Sequence, residues 1–199
     1  MLPGPIEELE RALARLPGFG RRSASRAAAA LAQDGARLSD PLVAALENVR
    51  RRIRKCSRCG AFTEAGSDPC RLCTDPLRDG SSLCVVEDGA DIAAIEAAGA
   101  FKGRYHAIGA KPVGGRNPEA GRLAVAALAD RVAREGFAEV LLALSTDMDG
   151  DAAAGYIAEA LQGTGARITR LAFGLPADSA VAYSDPLTLR RAVANRILQ

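Results

Sequence analysis

Apolar residues recur at helical spacing through the first fifty positions and then give way to short apolar runs. Ile6, Leu9, Leu13 and Leu16 fall three or four apart, behind Glu7, Glu8 and Glu10 in the opening turns, so a helix is expected over 5–15. "PGFG" (17–20) breaks it. A second helix follows from about Arg22 to Ala32, ended by Gly35. Ser39 reads as the N-cap of a third helix, with Pro41 in its first turn. That helix carries the apolar stripe Leu42, Leu46, Val49, Ile53 and closes on Arg50, Arg51, Arg52, Arg54 and Lys55. From residue 83 the rhythm alternates. "LCVVE", "RYHAIG", "EVLLAL" and "RITRLAF" read as strands, separated by the helical stretches "ADIAAIEAAG", "PEAGRLAVAALADRVAREG" and "DAAAGYIAEALQG". A last helix begins after Asp185-Pro186 and runs to the end. Strands alternating with helices predict an α/β domain whose parallel sheet is covered on both faces.

Composition sharpens this picture in three ways. Only 4% of the 199 residues are aromatic and Trp is absent, so alanine supplies much of the apolar count and the helices should be thin and closely packed. No apolar stretch approaches the length of a membrane span, and the first residues show no signal peptide; a cytoplasmic protein is expected. The net charge of +2 is unevenly spread: residues 1–55 hold 11 Lys/Arg against 6 Asp/Glu, and residues 83–199 hold 12 against 14. The basic excess implies an anionic partner for the N-terminal quarter or, more plainly, a solvated helix surface.

The strongest chemical signal lies between the two patterns. "CSRC", ten residues, then "CRLC" places Cys56, Cys59, Cys70 and Cys73 as two Cys-x-x-Cys knuckles. Four thiolates satisfy tetrahedral zinc and leave no ligand position open, which favours one structural zinc per chain over a catalytic one. The intervening loop has little to pack, so the metal would be its core. A redox dithiol pair is the competing reading. Cys84, inside an apolar strand, reads as a small core residue.

"LPGFGRRSASRAAAAL" (16–31) has the form of a helix–hairpin–helix. Gly18 and Gly20 allow close backbone approach to a phosphate, and amides opening the next helix point at it. Arg22 and Arg26, four apart, share a helical face at that mouth. Such groups grip the sugar-phosphate backbone without reading bases. The plain alternative is a helix–helix corner, including one that self-associates. A third set is acidic. Glu87 ends the first strand, and Asp147, Asp149 and Asp151 follow the third. In a parallel sheet both sites lie at the carboxyl ends of strands, where ligands bind. These acids suit Mg²⁺, a helix cap or a protein partner. His106, the single histidine, reads as a buried or edge-strand residue, so no Ser/His/Asp or Cys/His nucleophile system can be assembled. The glycines around 109–115 lack the ending of a P-loop.

The order of these pieces resembles one family, the bacterial recombination mediator RecR, over nearly the whole chain. "CSRCGAFTEAGSDPCRLC" looks like its zinc module, "LCVVEDGADIAAIEAAGAFKGRYHAIG" is similar to the opening of its Toprim domain, and "FGLPADSAVAYSDPLTLRRAV" looks like its C-terminal signature. The resemblance implies a helix–hairpin–helix module over 1–55, a four-cysteine module over 56–80, a Toprim α/β domain over 81–173 and a C-terminal segment and helix over 174–199. It further implies a tetrameric ring that clamps single- or double-stranded DNA without sequence preference, in the nucleoid. It implies work with RecO, and in some cells RecF, to load a recombinase onto single strands, with no catalytic turnover. By position, Arg22 and Arg26 match the DNA-binding helix, the four cysteines match the zinc ligands, and Glu87, Asp149 and Asp151 match Toprim acids tied to RecO contact and DNA association.

Three stretches depart from the family pattern. "AKPVGGRNPEAG" is shorter than the usual Toprim insertion. Asp178 and Ser179 stand where a glycine pair is usual. "STDMDGD" replaces Asn-Pro-Thr-x-Glu-Gly-Glu, adding Asp147 and approaching the Asp-x-Asp of metal-dependent Toprim enzymes. This last departure defines the rival reading, a Mg²⁺-dependent nuclease using Glu87, Asp147 and Asp149. Against it, Tyr105, Tyr156 and Tyr183 sit in ordinary structural contexts and offer no nucleophile. A zinc-stapled scaffold that only self-assembles is the third reading.

Overall fold

A computed structural model of the chain describes residues 3–171 and 181–198. The chain forms two compact units, Met1–Ile53 and Arg54–Gln199. In the first, α1 (Gly4–Leu13) packs against α2 (Arg21–Gln33). Only Ala24 and Ala28 are buried among this unit's described residues, which makes the core as thin as the alanine content predicts.

The connection to α3 (Asp40–Arg52) differs from expectation. Helix α2 stops at Gln33, and Gly35 begins a single π-helical turn, Gly35–Ser39. Asp34 opens that turn by accepting from the Arg37 N–H at 3.1 Å. The turn runs straight into α3, so Ser39 already has helical backbone (φ −72°, ψ −48°) and cannot take N-cap geometry. Its hydroxyl donates instead to the Leu31 carbonyl at 2.6 Å. The α3 stripe is exposed: Leu42 by 41%, Leu46 by 61% and Val49 by 57%.

In the second unit, β1 (Ile53–Lys55) pairs with β2 (Phe62–Glu64), and a short helix α4 (Arg71–Thr74) follows. Then come β3 (Ser82–Val86), α5 (Gly89–Ala98), β4 (Arg104–Ala107), α6 (Pro118–Glu135), β5 (Glu139–Ala143), α7 (Met148–Ala160) and β6 (Arg167–Arg170). A 3₁₀ turn at Val181–Tyr183 leads into α8 (Pro186–Ala194) and β7 (Ile197–Leu198). The sheet order is β4-β3-β5-β6-β7. The pairings among β3, β4, β5 and β6 are parallel, as expected.

Side chains alternate across the sheet. Leu83 and Val85 of β3 join Val125, Leu128, Val132 and Ile157 of α6 and α7 on one face. Cys84 and Val86 join Ile92, Ile95, Leu189 and Val193 of α5 and α8 on the other. Cys84 is a fully buried core residue, as its apolar setting predicts. Helices α5 and α6 end on Gly99 and Gly136 in left-handed conformation, matching the glycine stops in the sequence.

The other boundaries move for local reasons. Glu87 stands one residue past β3. Helix α7 starts at Met148, because Asp147 caps it by accepting from the Gly150 N–H at 2.6 Å. The final helix does not reach the end of the chain. It stops at Ala194, and Ile197–Leu198 turns back as an antiparallel edge strand on β6. Pro176, Asp178, Ser179 and the end of "RITRLAF" lie outside the described residues.

The returning strand is held by charge. Arg196 Nη2 donates to Glu139 Oε2 at 3.0 Å, and the Thr169 hydroxyl donates to Glu139 Oε1 at 2.8 Å. Arg196 beside it, then Thr169, hold the Glu139 carboxyl down at about 2. The folded value lies below the ordinary one, so this stabilisation is present above about pH 4.5 and is lost as pH falls toward 2. Glu139→Gln should therefore cost ~2 kcal/mol at pH 7 in urea unfolding, and the difference from the parent chain should shrink across that window.

Candidate functional site

In the first unit the hairpin forms as the glycines require. Gly18 takes φ +78°, closed to most side chains, and Gly20 is the extended N-cap of α2. An added Cβ at either glycine would meet open space, so the backbone there is accessible. Arg22 and Arg26 are exposed on α2 and form no ion pair among the described residues. Beside them, α1 and α2 enclose a groove of about 390 Å³ lined by Glu10, Arg11, Ala14, Arg15, Arg21 and Ala24. Sequence reasoning singled out Arg22 and Arg26 and passed over Arg11, Arg15 and Arg21. The signal was there: Arg11 and Arg15 are also four apart.

The four cysteines converge. Cys56, Cys59, Cys70 and Cys73 are buried, with ligand atoms all within 4.8 Å of one another, and no other His, Cys, Asp or Glu group of three or more does so among the described residues. Cys56 Sγ lies 3.9 Å from Cys73 Sγ, and Cys59 Sγ lies 3.5 Å from Cys70 Sγ. Ligands at ~2.3 Å in a tetrahedron stand ~3.8 Å apart, so the cage fits a metal ion such as zinc. The first knuckle closes with Gly60 N–H donating to Cys56 O at 2.9 Å; the second opens α4, with Cys73 N–H on Cys70 O at 2.9 Å. Burial pushes the Cys70 thiol up to about 11, a preference that a dication reverses by taking the thiolate.

Arg131 ties this cage to the sheet. Its Nη1 donates to Arg58 O in the first knuckle at 3.1 Å, to Tyr105 O at 2.8 Å and to His106 Nδ1 at 3.2 Å. A guanidinium only donates, so Nδ1 accepts and the His106 proton sits on Nε2. Burial, with Arg131 beside it, pulls the His106 pKa down to about 4. The histidine is a neutral structural residue on an edge strand, as its setting in the sequence suggests.

At the carboxyl ends of the central strands the acids separate. Glu87 Oε1 accepts from Ser145 N at 2.9 Å and Ser145 Oγ at 2.6 Å. Ser145 Oγ also lies 3.1 Å from Asp147 Oδ1. The Asp147 carboxyl is held below its ordinary value, first by the Gly150 amide and also by Lys111. Lys111 Nζ lies 3.2 Å from Glu87 Oε1 and 3.5 Å from Asp147 Oδ1. Asp151 pairs with Arg170, and Asp149 lies over Gly114. Glu87 and Asp147 are thus brought together, while Asp149 and Asp151 are not.

These features define a protein built around a Toprim domain, and residues 81–172 match the Toprim domain family. The chain is 43% identical to Recombination protein RecR of Rhodopseudomonas palustris over 198 residues, covering 98% of this chain and 97% of that one. It is 42% identical to Recombination protein RecR of Moorella thermoacetica and to that of Cereibacter sphaeroides, each over 196 residues, 98% of this chain and 96% of theirs. The chain belongs to the RecR family. No helix among the described residues is long and apolar enough to cross a membrane.

The cage makes a direct prediction. Cys59→Ser should lower bound metal, read by elemental analysis, from about one ion per chain to near zero. Because Cys59 and Cys70 are held toward the protonated thiol, metal should be released as pH falls, with protons taken up as it leaves.

Proposed function

We propose that the chain is a non-enzymatic, DNA-binding recombination mediator. The observation that carries this reading is similarity along the whole chain to proteins called Recombination protein RecR. In this reading Gly18, Gly20, Arg22 and Arg26 grip phosphates of single- or double-stranded DNA regardless of sequence. The exposed arginines at the hairpin support it, and Arg11, Arg15 and Arg21 extend the basic surface.

The proposed organisation is a hairpin module over 1–55, a cysteine module over 56–80, a Toprim domain over 81–173 and a C-terminal segment over 174–199. One structural zinc is held by Cys56, Cys59, Cys70 and Cys73. The acids Glu87, Asp147, Asp149 and Asp151 meet RecO, a basic partner, and in some cells RecF also takes part. Together they place a recombinase on single-stranded DNA in the cytoplasm. Copies of the chain assemble, as a tetrameric ring, and the exposed Leu42, Leu46 and Val49 of α3 support self-association, since a helix with an uncovered apolar stripe favours a partner.

The test is DNA binding by zinc-loaded protein at several salt concentrations. Replacing Arg22 and Arg26 together with Ala should weaken binding alike for unrelated sequences and lower the log–log salt slope by about 1.5, two phosphate contacts having gone. Unchanged affinity and slope would remove these residues from the interface. DNA incubated with the protein and Mg²⁺ should stay intact; cleavage abolished by Asp147→Asn would establish the nuclease reading instead.

A further inference from the structure

Metal-dependent Toprim enzymes hold Mg²⁺ with the acids at these strand ends, so the fit of such an ion here can be tested on the side chains. Mg²⁺ asks for oxygens at ~2.1 Å in near-octahedral order, from groups free to turn toward it. One oxygen of each converging acid is already engaged. Glu87 Oε1 takes Ser145 N, Ser145 Oγ and Lys111 Nζ within 3.2 Å. Asp147 Oδ1 takes Gly150 N at 2.6 Å and faces Lys111 Nζ at 3.5 Å. Lys111 Nζ also donates to Ser145 Oγ at 2.9 Å. Asp151 is paired with Arg170, and Asp149 points its carboxylate at Gly114, so no third carboxylate joins the pair. With the Lys111 ammonium standing between the only two acids that converge here, and no group of three or more acids gathered among the described residues, the residues present do not fit a divalent ion.

We propose that Lys111 is the resident cation of this notch, its ammonium standing between Glu87 and Asp147 in place of a divalent metal. The surrounding backbone is shaped to hold it there. A Cβ on Gly121 of α6 would come within 2.3 Å of Lys111 O, and one on Gly115 within 2.9 Å, so both glycines let the Lys111 segment lie against its neighbours. A Cβ on Gly150 would come within 2.0 Å of Ser145 O, so that glycine seats Ser145 under the helix end. The Lys111 side chain is 19% exposed, and each of its three polar partners belongs to the notch. The loop before α6 delivers a charged side chain to the acids, and the opposite charges satisfy each other at close range.

The test uses full-length, zinc-loaded protein and Mn²⁺ as the probe, read by electron paramagnetic resonance and by thermal melting. The parent chain should bind no Mn²⁺ at the notch at millimolar concentration. Lys111→Gln should gain one site per chain, at least about tenfold tighter than any binding by the parent, and lose it when Asp147→Asn is added. Lys111→Arg, which keeps the charge, should behave like the parent. Binding by the parent chain that Asp147→Asn abolishes would overturn the proposal, and so would a folded Lys111→Gln with no gain. Should Lys111→Gln lose its fold, added Mn²⁺ must restore it for the proposal to stand.

Discussion

The parallel pairing of β3 with β5 governs the second unit. Its register sets Val86 opposite Ala143, so the residues just beyond those positions emerge side by side. Glu87 and Ser145 meet for that reason, and Asp147 follows because α7 must begin where β5 has ended. The pairing survives because both faces of these strands are covered. Leu83, Val85, Leu142 and Val140 face α6 and α7, and Cys84, Val86 and Leu141 face α5 and α8. Burying a strand on both faces fixes its register, since slippage by one residue would exchange the two sets. The polar chemistry at the strand ends is therefore as precise as the apolar packing beneath it.

Much of this was legible in the sequence, where the signal was periodic or carried by a rare residue type. Four cysteines at knuckle spacing announced their own cluster, and the alternation of apolar runs with helical stretches announced the sheet. The failures share a cause: contacts made across distance. Ser39 has the chemistry of a cap, but Asp34 started a helical turn ahead of it and its hydroxyl found the Leu31 carbonyl. The last residues read as helix because nothing local distinguishes Ile197 and Leu198 from a helical end. They become a strand because Glu139, far off in the chain, holds Arg196. Lys111 carried no motif at all, and only the folded loop brings it to the acids.

The two units divide the work of stability differently. The second buries large side chains on both sides of a sheet and seats several of its charged groups in pairs, among them Arg78 with Glu96 and Arg196 with Glu139. The first buries two alanines and leaves leucines and valines of α3 in the open. An Ala side chain contributes little apolar area, so this pair of helices leans on backbone packing more than on side-chain burial.

The cysteine module also does something for the sheet that ligand geometry alone does not show. Strand β4 lies at the border of the sheet, and a border strand offers unpaired amides and carbonyls to any passing strand. Here the first knuckle takes part of that role: the Ala107 amide donates to Cys59 O at 2.8 Å, and Arg104 reaches across to Leu72 O and Cys73 O at 2.9 and 3.0 Å. The module thus acts as a cover for the open border, and its integrity and the chain's resistance to aggregation become one property. If the cage opened, an unpaired edge would be laid bare, and the cost would fall on solubility as well as on shape.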